Sequence, residues 1–199
     1  MLNENIRNYL LCGVGGQGTV LASRIIAEAA MAKGLNAKTA ETIGMAQRGG
    51  SVVSHVRTGR NIASPMVPKG SADVLMGFEP GEAAAKLDYL KEGGTLIVCR
   101  QEVKPVTASL GQSAYDGSKS IAFMKEKIEK CYIIDGEAIC RECGSSKVLN
   151  VALVGALCAV KEEALTLEEV EAALAVRLKP QLLEMNRKAL RMGAAAVQL

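Results

Sequence analysis

The chain has 199 residues and a formal charge of +3, room for one full-sized domain and too little positive charge to argue for a nucleic-acid partner. It is 49% hydrophobic but only 3% aromatic, so aliphatic packing must carry the core. No apolar run approaches the roughly 20 residues that cross a bilayer, and the polar stretch Met1 to Asn8 lacks a signal-peptide apolar segment, so the expectation is a cytoplasmic protein, one domain over 1–199, with no membrane partner.

The organising stretch runs from Asn8 to Gly34. An apolar run, Tyr9 to Cys12, meets a glycine-dense turn and then a long amphipathic segment. Gly13, Gly15 and Gly18 fit G-x-G-x-x-G, and Gly16 adds a further glycine. Such a turn lets backbone N–H groups come close to a ligand, and the helix that follows points its positive dipole end at the same place. Val20, Leu21, Ile25, Ala29 and Ala30 form a stripe for burial, and Gly34 ends the helix.

Asn36 to Thr42 reads as a second strand. Ile43 to Ser51 is a second loop with paired glycines and a cation, Arg48. Ser51 to Arg57 is a strand, Thr58 to Asn61 a turn, and Ile62 to Val67 is placed to pair back. Pro65, Pro68 and Gly70 mark a loop. Ala72 to Phe78 is a short buried strand, Gly81 to Lys91 a helix stopped by Gly93-Gly94, and Thr95 to Cys99 the next strand. This rhythm predicts an α/β fold: a three-layer α/β/α arrangement on a mostly parallel central sheet, with a Rossmann-like first β-α unit.

Val103 to Ser120 is less regular, with a short strand expected near Val106. Ile121 to Lys130 is a helix, Cys131 to Asp135 a strand, and Gly136 to Cys143 a short helix ended by Gly144. Asn150 to Lys161 is an apolar helix. Thr166-Leu-Glu-Glu169 is a capping box that opens another, and Pro180 suits the first turn of the last helix, which runs towards Gly193.

Several side chains are chemical candidates. An arginine among glycines, as at Arg48, can reach a phosphate or carboxylate with a bidentate fork, or serve as a solvated turn residue. Glu79-Pro80 ends a predicted strand, the place where open parallel sheets bind ligands, although an acid there also suits a helix N-terminus. His55, the single histidine, lies mid-strand with no acidic neighbour and reads as structural. Cys140 and Cys143 have C-x-x-C spacing, but a structural zinc site needs four ligands, and on a helix this spacing merely places both thiols on one face. No metal site is assigned. Glu41 lies 23 residues beyond Gly18, close to the roughly 20 at which a dinucleotide site places its ribose-binding acid. That spacing keeps open an NAD(P)-dependent dehydrogenase, or a non-catalytic nucleotide-binding module, as the alternative.

Gly13-Val-Gly-Gly-Gln-Gly18 followed by Leu21-Ala-Ser, and then Gly44-Met-Ala-Gln-Arg-Gly-Gly-Ser-Val-Val-Ser-His-Val-Arg57, resemble the gamma-type domain of 2-oxoacid:ferredoxin oxidoreductases. The chain is most like the beta subunits of the indolepyruvate type. Asp73-Val-Leu-Met-Gly-Phe-Glu-Pro80 and Asn150-Val-Ala-Leu-Val-Gly155 extend the likeness over nearly the whole chain. The resemblance implies a subunit that is inactive alone and assists coenzyme A-dependent oxidative decarboxylation of a 2-oxoacid, with electrons passing to ferredoxin. It implies that thiamine diphosphate and iron–sulfur clusters sit on a larger partner subunit, that this chain binds no cofactor tightly, and that coenzyme A is a possible co-substrate at its surface. It also implies a homodimer for the isolated chain. Gly13, Gly15, Gly16, Gln17 and Gly18 match the first motif and Gln47, Arg48, Gly49, Gly50 and Ser51 the second; these ten are the candidate cofactor-binding residues, and no catalytic residue is assigned. The cysteines between Glu137 and Ser146 depart from the family pattern.

Overall fold

The computed structural model describes residues 6–43, 49–103, 115–160 and 165–197. Among these residues six strands form one sheet: β1 (Arg7–Val14), β2 (Asn36–Ile43), β3 (Ser51–Gly59), β4 (Ala72–Gly77), β5 (Leu90–Cys99) and β6 (Cys131–Ile134). Their order is β2-β3-β1-β4-β5-β6. The β1–β4, β4–β5 and β5–β6 pairs are parallel, whereas β3 runs antiparallel to both β1 and β2. Among the described residues seven helices accompany the sheet: α1 (Thr19–Ala32), α2 (Pro80–Ala84), α3 (Gly117–Lys127), α4 (Gly136–Cys143), α5 (Leu149–Ala159), α6 (Leu167–Arg177) and α7 (Pro180–Ala195).

The apolar run of β1 is continuous because both its faces are covered. Successive side chains point to opposite faces of a strand. Tyr9 and Leu11 therefore join a core with residues of α1, α4, α5, α6 and α7, while Leu10 and Cys12 join a smaller core with Ala83 of α2 and Met124 of α3. This is the expected three-layer α/β/α arrangement. Within the larger core, α5 crosses α7 at bare backbone. A Cβ on Gly155 would lie 1.9 Å from the Leu190 carbonyl oxygen, and one on Gly193 would lie 1.8 Å from that of Ala152.

Four expectations change. Ile62 to Val67 forms no strand; the segment is tied down instead by side chains, with Arg57 donating to the Ser64 carbonyl and Lys38 to that of Ala63. The helix expected over Gly81 to Lys91 is one short helix, α2, and a 3-10 turn at Leu87–Tyr89. Gly93 and Gly94 stop no helix: they lie inside β5, where the pairing with β4 shifts register between Ala72 and Val74. One kind of bulge places a glycine in the left-handed region, and Gly93 has φ +66°. Helix α3 begins at Gly117, ahead of Ile121, because Asp116 caps it by accepting from the Ser118 N–H. The strand expected near Val106 falls outside the described residues.

Candidate functional site

Every candidate cofactor-binding residue that the structure describes, from Gly13 to Gly18 and from Gly49 to Ser51, lies at one end of the sheet. The antiparallel pairing of β1 with β3 sets Gly13 opposite Val52 and Val14 opposite Ser51. The glycine turn that leaves β1 thus meets the loop that enters β3. The Gly15 N–H donates to the Gly50 carbonyl at 2.9 Å. Gly16 is exposed at the tip of the turn, and Gly49 and Ser51 are exposed beside it. Gln47 and Arg48 lie outside the described residues.

Gln17 staples the turn from beneath. Its Oε1 accepts from the Val14 N–H at 2.7 Å, and its Nε2 donates to the Phe78 carbonyl at 2.9 Å. The ends of β1 and β4 are joined a second time by the Phe78 N–H, which donates to the Cys12 carbonyl at 2.8 Å. These neighbouring parallel strands then part company. β1 leads into α1 on one face of the sheet, and β4 leads into α2 on the other. A crevice at the carboxyl ends of two such strands is where open α/β sheets bind ligands.

The two helices bordering the crevice start differently. Gly18 is the N-cap of α1, with φ +83°. Among the described residues no side chain caps α1, and its first turn holds no acidic residue. The first N–H groups of a helix have no acceptor within it, so this end carries open donors and an uncompensated dipole. Helix α2 is closed by its own sequence. The Glu79 side chain accepts from the Glu82 N–H at 2.9 Å, and Glu82 puts a second acid in the first turn. Glu79 is 2% exposed. Tyr115 donates its phenol proton to Glu79 Oε1 and accepts from the Gly81 N–H at 3.0 Å. Burial, and then the bond to the Glu79 carboxylate, push the Tyr115 phenol well above its ordinary range. Glu82 also accepts from the Ser51 hydroxyl at 2.5 Å. One wall of the crevice therefore attracts anions and the other is already occupied by carboxylates.

Other candidates resolve into packing. Cys12 is fully buried under the turn, and burial, then the Glu82 charge, drive its thiol far up, which keeps it protonated and unreactive. His55 is 2% exposed, and its Nδ1 accepts from the Val67 N–H at 3.2 Å. It latches the 61–67 segment to the sheet. Cys140 sits on α4 with its thiol pushed up to about 11 by burial, then by Cys99 and Cys143. Cys143 is likewise raised by burial, and its sulfur packs 3.9 Å from the Met192 sulfur. Among the described residues no three His, Cys, Asp or Glu side chains gather as a metal site, and no helix is long and apolar enough to cross a membrane.

Glu41 is not placed as a ribose-binding acid. A dinucleotide fold sets its second strand beside the first, but here β3 intervenes, with Glu41 opposite Ser54 and Ser54 opposite Leu11. Two strand spacings, about 10 Å, separate Glu41 from β1.

One residue of the site carried no role in the sequence reading. Asn150, in the first turn of α5, is 3% exposed, and its Nδ2 donates to the Gly18 carbonyl across 132 positions of sequence at 3.4 Å. The only local sign of it was an amide inside the apolar run Leu149 to Ala159.

The fold is that of a doubly wound α/β protein with a topological switch point between β1 and β4. Residues 8–196 match the family model described as pyruvate ferredoxin/flavodoxin oxidoreductase, and the chain belongs to that family. It is 38% identical to the indolepyruvate oxidoreductase subunit IorB of Archaeoglobus fulgidus, over 94% of this chain and 92% of that one. It is 33% identical to the IorB subunit of Thermococcus kodakarensis, over 96% of each chain. Among solved structures, the gamma subunit of a keto/oxoacid ferredoxin oxidoreductase from Geobacter sulfurreducens superposes with a TM-score of 0.71, at 27% identity, covering 98% of this chain and 97% of that one.

Proposed function

We propose that the chain is the smaller, non-thiamine subunit of a 2-oxoacid:ferredoxin oxidoreductase of the indolepyruvate type, acting in the cytoplasm. A larger subunit completes the enzyme. The reaction converts the 2-oxoacid and coenzyme A to carbon dioxide and an acyl-coenzyme A, and two electrons pass to ferredoxin. Thiamine diphosphate and iron–sulfur clusters, when bound on the larger subunit, supply the decarboxylation and electron-transfer chemistry.

The chain's own contribution is half of a cleft for coenzyme A. The observation that carries this is the open N-terminus of α1 beside the Gly49–Ser51 loop. A pyrophosphate fits an end where N–H groups point outward and the dipole is uncompensated. The Gly13–Gly18 turn and the Thr19 N–H hold it on one side, and Gly49, Gly50 and Ser51 approach from the other. The carboxylates at α2 repel it from the opposite wall. Nothing in this half-cleft is asked to form or break a bond; it orients coenzyme A for chemistry on the partner.

Reconstitution tests the proposal. The larger subunit with this chain is expected to reduce ferredoxin in the presence of indolepyruvate and coenzyme A, and the chain alone is expected to be inactive. Activity unchanged when the chain is left out would overturn it. Native mass measurement of the isolated chain checks the proposed homodimer.

A further inference from the structure

The peptide between Gly18 and Thr19 stands where α1 begins. Its carbonyl accepts the first intrahelical bond, from the Ala22 N–H at 3.1 Å. Its second acceptor position faces Asn150, whose amide orientation is set by chemistry. The Val151 N–H donates to Asn150 Oδ1 at 2.9 Å, so that oxygen must face Val151 and the amide nitrogen must face Gly18. A buried amide so fixed has one orientation that satisfies both neighbours. Space complements the polarity, since a Cβ on Gly18 would lie 2.7 Å from Asn150 Nδ2. Glycine at 18 and asparagine at 150 fill one volume between them.

A trans peptide is planar, and its carbonyl and N–H point in opposite directions. Whatever holds the Gly18 carbonyl inward, along the α1 axis, fixes the Thr19 N–H in the opposite direction, back towards the glycine turn; Thr19 as a residue is 3% exposed. Asn150 reaches that carbonyl from α5, which is buried along its length and clamped on α7 through Gly155 and Gly193. The anchor is therefore a rigid element of the core and not the loop itself.

We infer that Asn150 is a positioning residue for coenzyme A: by holding the Gly18 carbonyl it aims the Thr19 N–H at the pyrophosphate. This rests on the cleft proposed above and adds to it a residue on a different helix that touches no ligand.

The test uses the reconstituted two-subunit enzyme, with coenzyme A as the probe. Asn150→Asp keeps the shape of the side chain but sets an oxygen against the Gly18 carbonyl and turns that peptide away. It is expected to raise both the KM and the calorimetric Kd for coenzyme A about tenfold, leaving kcat and the KM for the oxoacid within twofold. Asn150→Ala removes the donor without the repulsion and is expected to move the same two constants by a smaller factor; it carries the test if the aspartate variant does not fold. A merely structural asparagine would lower the Tm and leave the coenzyme A constants unchanged, and that result overturns the inference. Val20→Glu, which adds a charge at the α1 end without touching Asn150, separates the two levels. If it weakens coenzyme A while the Asn150 variants do not, only the positioning role falls. If none of the three does, the cleft reading falls with it.

Discussion

Two helices begin side by side at the same end of the sheet, and they begin in opposite ways. Helix α2 follows β4 and is sealed at once: Glu79 caps it, Glu82 adds charge to its first turn, and Tyr115 locks the cap. Helix α1 follows the neighbouring β1 and is left bare, with a glycine for a cap and no acid in its first turn. A helix of five residues needs its cap to exist at all, because short helices are marginal without one. A helix of 14 residues whose stripe is buried against the sheet does not. The longer helix can therefore leave its N-terminal donors open, and the proposed coenzyme A cleft lies there.

The comparison breaks most severely at Gly18. Gly18→Val forces a β-branched residue into a left-handed backbone and onto Asn150, at a cost of about 1–3 kcal/mol. A lowered Tm and more than a tenfold loss of coenzyme A-dependent activity are expected in the reconstituted enzyme. Val20→Glu makes α1 resemble α2. A carboxylate in the first turn stabilises a helix by about 0.3–1 kcal/mol, so thermal stability should hold or rise while the KM for coenzyme A climbs about fivefold, equivalent to ~1 kcal/mol. Stability kept or raised while affinity for coenzyme A falls is the signature; a fall in both would mean that the substitution merely damages the fold. Glu79→Ala does the reverse at α2. Loss of the cap is expected to cost about 1 kcal/mol in denaturant unfolding, with the KM for coenzyme A changed less than twofold.

The smallest effect is a control on the same sheet, away from both helix ends. Burial lowers the pKa of His55 from its ordinary 6.5. Between the folded and unfolded values the unfolded chain binds the extra proton, so stability rises with pH there. The contribution is present above 6.5 and is lost as pH falls through the lower, folded value. Denaturation measured from pH 5 to 8 should show this slope, and His55→Gln should flatten it without altering coenzyme A binding.

Much of this was legible along the chain. The 3.6-residue stripe after Gly18 and the apolar runs Tyr9 to Cys12 and Ala72 to Phe78 identify the first β-α unit and the doubly covered strands, and the Thr166 capping box forms with both its hydrogen bonds. The paired glycines at 93 and 94 misled, because glycine serves a bulge as readily as a helix stop and only the register of β4 against β5 tells them apart. Glu41 misled for a similar reason. Its spacing fits a dinucleotide site, but spacing is blind to a strand from later in the chain inserting between β1 and β2. Tyr115 could not be tied to Glu79 from sequence, nor Asn150 to Gly18, since each pair joins segments that meet only after the sheet and its helices have packed.

By itself, then, the sequence determined most of the elements, the bare start of α1 and the family likeness, because caps, turns and periodicity act over a few residues, where local sterics and hydrogen bonding dominate. Tertiary structure alone decided that Gly15 meets Gly50, that Glu41 is displaced from β1 and that Asn150 reaches the first peptide of α1. Those contacts depend on which strand edges and helix faces win the competition for burial, and that competition is settled by the whole core at once.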